Sequence, residues 1–140
     1  MNIAEECIAI QQVVSRYSSA VSRRAWAELD ALFTSDASWE VVGGPGLRLQ
    51  GAELVPGIRA LVEETTDSIF QMNCPAVIAV DGKRATATSN MYEFGVTPDK
   101  LNRFEAPGIY DDVLVRHDGT WRFASRRFRV LAIRTTPLAR

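Results

Sequence analysis

The sequence predicts one α+β domain, with helices packed on one side of a curved β-sheet. Apolar residues recur at helical spacing through the first half of the chain, whereas most residues from 68 onward fall in strand-like runs. Asp-Gly pairs stand between such runs in VDGK (80–83) and HDGT (117–120), and this is the strongest short hairpin signal. Helices followed by a meander of long strands are typical of α+β domains.

Length and charge limit the functional class. A chain of 140 residues is expected to form a single domain, 1–140, which is large enough for a core and a cavity. Its 16 Lys and Arg residues nearly balance 17 Asp and Glu residues, so we expect no nucleic-acid or membrane-surface partner. The start, MNIAEECIAI, has acids where a signal peptide has basic residues, and no apolar run reaches the length of a membrane span. The expected location is therefore cytoplasmic.

Three helices are predicted, at 3–21, 25–33 and 52–66. Pro56 falls near the first turn of the third helix, where a missing backbone N–H costs little. The first helix carries an apolar stripe formed by Ile3, Cys7, Ile10, Val14, Tyr17 and Val21.

The strands begin at 37–42, and the Gly-rich segment 43–46 interrupts this extended region. In the later sheet, the polar segment 97–107 is predicted to be the one long loop. Near the end of the chain the apolar alternation changes phase, which predicts a β-bulge near Arg126.

Three patches together resemble the SnoaL-like branch of the nuclear transport factor 2-like superfamily. They are RYSSAVSRRAWAELDALFTSDASWEV, VDGKRATATS and GIYDDVLVRHDGTWRFASRRF, in the order in which the family has them. The helices and the two Asp-Gly hairpins predict a sheet of about half a dozen strands. The resemblance implies that this sheet is cone-shaped, curved and mixed and is wrapped around N-terminal helices (a cystatin-like α+β barrel). It also implies an apolar pocket and a homodimer formed through the sheet. The outer apolar patch expected for this contact consists of Val113, Val115, Ala124 and Val130.

The family's fold hosts several reactions as well as non-catalytic subunits, so the site residues decide the function. The Tyr-Asp pair of the scytalone dehydratase-like members falls on Val21 and Ser22 here. Their second tyrosine falls on Val41, and their first histidine falls on Gln71. The resemblance therefore extends to the fold and not to that active site.

The candidate catalytic residues are Asp112, Tyr110 and Tyr17. Tyr110 and Asp112 alternate onto one strand face, and burial there would raise the pKa of Asp112 and suit it for proton transfer. The alternative is an ion pair between Asp112 and Arg127 that fixes the last hairpin. Tyr17 lies on the apolar stripe of the first helix, where its alternative role is core packing.

Gln71 and Asn73 share one face of a strand and do not titrate. They are candidates for holding a carbonyl, phenol or enolate oxygen, and the alternative is a satisfied polar pair at a sheet edge.

Further substrate-binding candidates lie on other strands. Tyr92 and Phe94 could form an aromatic wall for a flat ligand. The predicted set also includes Trp39, Glu40 and Arg127. The sequence does not decide whether the Glu40 side chain faces the inside or the outside of the sheet.

The thiol and imidazole groups do not suggest a site. His117 precedes Asp118-Gly119 in a predicted turn and is expected to be exposed. Cys7 and Cys74 are far apart and are expected to be reduced and packed. We therefore expect no metal site and no cofactor.

The predicted function is that of a cofactor-independent lyase or isomerase. It would carry out dehydration, retro-aldol or proton-transfer chemistry on a small apolar molecule, aromatic or polycyclic. The alternative is a non-catalytic ligand-binding protein, or a structural subunit like the β subunit of ring-hydroxylating dioxygenases.

Overall fold

The computed structural model describes residues 1–44 and 46–139. The first helix, α1 (Ile3–Arg23), provides the surface on which the sheet curves. The side chain of Asn2 accepts a hydrogen bond from the Glu5 backbone N–H, and the Glu5 side chain accepts one from the Asn2 backbone N–H. This capping box fixes the start of the helix. Its apolar stripe is buried against the sheet and comprises Ile10, Val13, Val14, Tyr17, Ala20 and Val21.

The second helix is shorter than predicted. Helix α2 spans Trp26–Asp30, and Phe33 already belongs to the first strand, where it pairs with Phe123. Strand pairing here overrides the helical spacing of the sequence. Helix α3 (Leu54–Thr65) follows a short 3₁₀ turn, as expected. Within the described part of the chain, none of the helices is both long and apolar enough to cross a membrane.

The sheet is curved, unclosed and mixed, which confirms the predicted fold class. Its main strand order is β2-β1-β7-β6-β5-β3, with β4 also paired to β5 and β8 to β6. The pair β1–β7 is parallel and the other pairs are antiparallel. The eight strands are β1 (Phe33–Val42), β2 (Leu47–Gln50), β3 (Ser68–Asn73), β4 (Val77–Asp81), β5 (Arg84–Val96), β6 (Asn102–His117), β7 (Thr120–Val130) and β8 (Arg134–Pro137).

The prediction of a long loop over 97–107 is wrong. Strand β6 begins at Asn102, so that residues 103–107 pair with β5 and residues 102–105 pair with β8. The start of β6 is only partly buried and mixes polar with apolar side chains. The simple apolar alternation that indicates a strand is therefore weak there.

Both predicted hairpins are present, with different turns. Asp118 and Gly119 have φ values of 50° and 73°, as a two-residue type I′ turn requires. In the other hairpin Asp81 still pairs with Arg84, and Gly82, with φ of 61°, opens the turn.

A β-bulge interrupts β7 at Ala124. Val113 of β6 lies opposite Ser125 and Leu114 lies opposite Phe123, so that Ala124 is left without a partner. Ala124 has no partner in β1 either. The bulge lies two residues before Arg126, which confirms the predicted position.

The bulge decides which side chains enter the core. Trp121 and Phe123 are buried before it, and Arg126 and Phe128 are buried after it. The predictions that Arg127 pairs with Asp112 and binds substrate need this side chain on the inner face, which is wrong. Arg127 is exposed because the extra residue shifts the phase by one.

The outer sheet face contains part of the expected apolar patch. Val113, Val115 and Ala124 are half-buried. Val130 instead lines the internal cavity described below. The homodimer stays a prediction, with a patch smaller than the sequence suggested.

The two cysteines are free, and they differ in exposure. Cys7 is half-buried and Cys74 is exposed. The expectation that both are packed is wrong for Cys74, which follows β3 in a short connection to β4.

Deleting Ala124 tests whether this single residue sets the phase of β7. The deletion removes an unpaired residue and leaves the inward and outward directions of the flanking side chains unchanged, so the protein should fold. Deleting Arg122 instead turns Trp121 or Phe123 outward, which should cost about 3–5 kcal/mol as for loss of a buried aromatic side chain. Thermal unfolding followed by near-ultraviolet circular dichroism compares the two; equal loss of structure in both variants would contradict the assignment.

Candidate functional site

A cavity of about 360 Å³ lies between α1, α3 and the inner face of the sheet. Strands β1, β3, β5, β6 and β7 all contribute side chains to it. Its wall is mainly apolar, with a few polar groups, as in most small-molecule sites. The titratable side chains among its lining residues are Tyr17, Glu93 and Tyr110.

Tyr17 and Tyr110 place two buried hydroxyls at this cavity. Their rings meet edge to face, with centroids 5.9 Å apart. The indole N–H of Trp39 donates to the Tyr17 hydroxyl oxygen at 3.0 Å. Burial raises the pKa of Tyr17 and raises the pKa of Tyr110 well above its usual value of 10.0. Both hydroxyls are therefore neutral hydrogen-bond donors in the physiological range.

Glu93 is the carboxylate of the cavity, and it is absent from the site residues predicted from the sequence. Its Oε1 accepts a hydrogen bond of 2.9 Å from Nε2 of Gln71, its cross-strand partner. Burial raises the pKa of Glu93 above its usual value of 4.5, although the Gln71 bond acts in the opposite direction. Among the described residues no Lys or Arg forms an ion pair with it.

Strand alternation puts Glu93 on the face of β5 opposite to Tyr92 and Phe94, but it does not say which face is the inner one. Tyr92 and Phe94 point to the outer face, where Phe94 packs on Phe70 with centroids 5.3 Å apart. Phe70 is 47% exposed. The predicted aromatic wall for a ligand is therefore wrong, and the residue between the two aromatics is the one that faces the cavity.

The two amides of β3 share a face, as predicted, but they have different surroundings. Asn73 accepts a hydrogen bond from the Ser18 hydroxyl and donates one of 2.9 Å to the Ser89 hydroxyl. Gln71 lines the cavity, and its Oε1 is buried without a hydrogen-bond partner. Asn73 thus ties α1 to the sheet, and Gln71 is available to a ligand.

Asp112 is on the inner face, as predicted, and it pairs with Arg126. Nε of Arg126 donates to Oδ1 of Asp112 at 3.0 Å and Nη2 donates to Oδ2 at 3.4 Å. Both side chains are fully buried. Burial raises the pKa of Asp112 to about 6, against the opposing effect of the Arg126 charge. The predicted partner, Arg127, is wrong because of the bulge, whereas the ion-pair alternative itself fits the geometry.

The Arg126 guanidinium also lies against three aromatic rings. Its central carbon is 3.6 Å from the ring centroid of Tyr110, 4.2 Å from that of Tyr17 and 4.5 Å from that of Phe123. Asp112 and Arg126 are not among the cavity-lining residues. The pair therefore packs against the two tyrosine rings and does not itself reach the cavity. A catalytic role for Asp112 stays a prediction.

The remaining predicted polar residues lie away from the cavity. Glu40 is half-buried and faces the exposed Arg127, with Oε2 and Nε 3.9 Å apart. Trp39, its neighbour, lines the cavity. His117 is exposed in its turn, as expected. Among residues 1–44 and 46–139 no group of three His, Cys, Asp or Glu side chains is placed to hold a metal ion.

The positions that differ from the dehydratase-like pattern form part of this site. Val21 and Val41 line the cavity. Ser22 accepts a hydrogen bond of 3.0 Å from the backbone N–H of Gln71 and so fixes β3 to α1. Apolar and neutral groups thus occupy the positions where the resemblance implies tyrosine, aspartate and histidine.

Comparison with known proteins agrees with this architecture. The SnoaL-like domain model matches residues 3–127. This chain belongs to the SnoaL-like domain family. No curated protein matches it.

Several solved structures have the same fold as this SnoaL-like chain. A hexachlorocyclohexane dehydrochlorinase (LinA, type 2) has a TM-score of 0.85 at 20% identity, with 97% of this chain and 90% of that chain covered. A candidate scytalone dehydratase from Novosphingobium aromaticivorans has a TM-score of 0.83 at 22% identity, with 97% and 91% covered. The Kfla4162 protein from Kribbella flavida has a TM-score of 0.84 at 17% identity, with 95% of each chain covered. At these identities the likeness establishes the fold alone.

Replacing Glu93 by Gln should stabilise the protein increasingly as the pH rises. Below about pH 4.5 the carboxyl is neutral in both folded and unfolded chains. Above that pH the unfolded chain ionises first, because the folded pKa is raised, so Glu93 lowers the free energy of unfolding. Glutamine cannot ionise, and the melting temperature of Glu93→Gln should exceed that of the unchanged protein at about pH 8 and match it at about pH 4.

Glu64→Gln is the matched control, since Glu64 is exposed. It removes the same charge without a buried carboxyl. A gap in melting temperature that closes with rising pH, or that Glu64→Gln reproduces, would contradict the burial of Glu93.

Asp112→Asn should reduce the free energy of unfolding by about 3–5 kcal/mol, because it leaves the Arg126 charge buried without a counter-charge. Asp111 is the matched control on the outer face, where it pairs with Arg129 at 3.1 Å and its side chain is 43% exposed. Asp111→Asn should cost at most about 1 kcal/mol. Urea unfolding measures both free energies. Similar losses in the two variants would show that the buried pair stabilises the protein no more than the exposed pair does.

Proposed function

We propose that this SnoaL-like protein is a cofactor-independent lyase or isomerase that moves a proton on a small, mainly apolar molecule, aromatic or polycyclic. The observation that carries the proposal is the half-buried carboxyl of Glu93, held by Gln71 at the wall of an apolar cavity of about 360 Å³. A cavity of that size is within the range of small-molecule sites.

Glu93 is the proton acceptor in this proposal. A carboxylate with a raised pKa is a stronger base than an ordinary one, and burial is the physical cause here. The Gln71 amide holds Oε1, which leaves Oε2 to take a proton from a substrate carbon. In a lyase the electrons of that C–H bond form a C=C bond as a leaving group departs. In an isomerase Glu93 returns the proton to another carbon.

Tyr17 and Tyr110 are the proposed partners of the negative charge that develops. Neutral hydroxyls at the cavity wall can donate to a leaving group or to an enolate oxygen. The positive charge of Arg126 lowers the pKa of both tyrosines, and burial opposes it. This charge favours hydrogen-bond donation toward an anionic oxygen. Asp112 acts in the proposal by orienting Arg126.

The comparisons support an elimination as the reaction class. The names of two structural neighbours describe a dehydrochlorinase and a candidate dehydratase, and both terms denote loss of a small acid or of water. The proposed base here comes from β5 and differs from the histidine implied for dehydratase-like members, whose position holds Gln71. The proposal therefore keeps the reaction class and reassigns the base.

A ligand-binding protein is the second candidate. It is favoured by Val21, Ser22, Val41 and Gln71, which replace the expected acid–base groups of dehydratase-like members. An in vitro assay for turnover by proton transfer distinguishes the enzyme from the ligand-binding protein.

The test uses a hydroxylated tetralone whose hydroxyl is β to the ketone, so that loss of water gives a naphthol that fluorescence detects. Hexachlorocyclohexane, with chloride release as the signal, is the second probe. Glu93→Gln should lower kcat by about two to four orders of magnitude, as expected for loss of a general base. Tyr110→Phe should lower kcat by a smaller factor.

His117→Ala and Glu64→Gln are controls, since both residues are exposed, and they should leave turnover unchanged. Asp112→Asn should lower the turnover of its folded fraction by much less than Glu93→Gln, because Asp112 acts only by orienting Arg126. If Glu93→Gln is fully active and folded Asp112→Asn is inactive, the base is Asp112 and our assignment is wrong. If neither probe turns over yet both bind, the ligand-binding candidate is preferred.

A further inference from the structure

The amide of Gln71 has one unpartnered atom, and the cavity is where a partner could reach it. Gln71 is 9% exposed and lines the cavity. Its Nε2 is committed to Glu93 at 2.9 Å, and its Oε1 is buried without a hydrogen-bond partner. A buried carbonyl oxygen without a donor is unfavourable, so native proteins rarely leave one.

Among the described residues no polar group donates to this oxygen. Ser22 accepts from the backbone N–H of Gln71. Asn73, the other amide of β3, has both side-chain atoms engaged, by Ser18 and Ser89. Both side-chain atoms of Asn73 thus have hydrogen-bond partners within the fold, whereas Oε1 of Gln71 needs a donor from a further group.

From this asymmetry we infer that the ligand of the cavity carries a neutral hydroxyl, alcoholic or phenolic, that donates to Oε1 of Gln71 beside Glu93. The inference rests on the proposed function only in placing the ligand in this cavity. The sequence-based expectation was that Gln71 holds a carbonyl, phenol or enolate oxygen, and of these only the phenol can donate a hydrogen bond. One N–H of Nε2 already bonds to Glu93, whereas Oε1 has no donor, so Oε1 is the atom that most needs a ligand.

The apolar wall of the cavity favours a neutral donor over an ammonium group. The carboxylate of Glu93 would attract a cation, and the guanidinium of Arg126, 4.2 Å and 3.6 Å from the ring centroids of Tyr17 and Tyr110, would repel it. Because these two charges oppose each other, the loss of hydration in an apolar cavity decides against a cation. A hydroxyl loses far less hydration, and the remaining cavity surface suits the apolar body of such a ligand.

The test measures the binding of four naphthalene probes by calorimetry. β-Naphthol carries the donor, β-naphthyl methyl ether has the same oxygen without the hydrogen, β-acetonaphthone offers only an acceptor, and naphthylmethylamine is a cation. β-Naphthol should bind about ten-fold more tightly than the ether, as expected for one buried hydrogen bond. In Gln71→Leu this preference should fall to about two-fold or less, because the acceptor is gone.

Glu93→Gln keeps an acceptor for the Gln71 N–H and removes the proposed base. The hydroxyl preference should persist in this variant even where turnover is lost, so failure of the proposed function and failure of this inference are distinguishable. A melting curve of Gln71→Leu confirms that the variant is folded.

Four results would overturn the inference. They are equal binding of β-naphthol and its ether, preference for the ketone or for the cation, a hydroxyl preference that survives Gln71→Leu, and no binding of β-naphthol up to its solubility limit. Preference for the ketone would mean that the amide presents its N–H₂ group to the cavity, with the oxygen toward a protonated Glu93.

Discussion

The buried guanidinium of Arg126 is the constraint on which the centre of this protein depends. Arginine stays charged in proteins, so a buried guanidinium needs a counter-charge and well-placed neighbours. Asp112 supplies the charge with two hydrogen bonds, and the rings of Tyr17, Tyr110 and Phe123 supply the faces. These groups come from α1, β6 and β7, so a single side chain joins the first helix to the last long hairpin.

This arrangement also sets the electrostatics of the cavity. Arg126 lies behind the two tyrosines, and Glu93 lies at the cavity wall. The Arg126 charge lowers the pKa values of Tyr17 and Tyr110 and the Glu93 charge raises them. Burial, the largest effect, also raises them and so favours the neutral phenols. The site thus combines two neutral donors with one carboxylate that burial has made more basic. That combination suits proton transfer without a histidine, which is why the absence of histidine from the family's expected position does not exclude acid–base chemistry.

One unpaired residue decides the identity of the buried arginine. Because side chains alternate along a strand, an extra residue at Ala124 exchanges the faces of all residues after it. Arg126 therefore enters the core and Arg127 remains in solvent. The sequence indicated a bulge near this point through the phase change of its aromatic residues. Its exact residue, and with it the true partner of Asp112, depended on pairing with β6.

Local patterns in the sequence were sufficient for the fold class, the order of helices and strands, and the two Asp-Gly hairpins. These features follow from short-range physics: apolar periodicity, turn residues and helix capping act over a few positions. The same patterns placed Tyr17, Tyr110, Asp112 and Gln71 on inner faces. Only the tertiary structure decided which of them reach the cavity, because that depends on how strands far apart in the chain are aligned. Glu93 became a candidate only when its pairing with Gln71 across β3 and β5 was known, since a glutamate between two aromatic residues reads equally well as a surface residue.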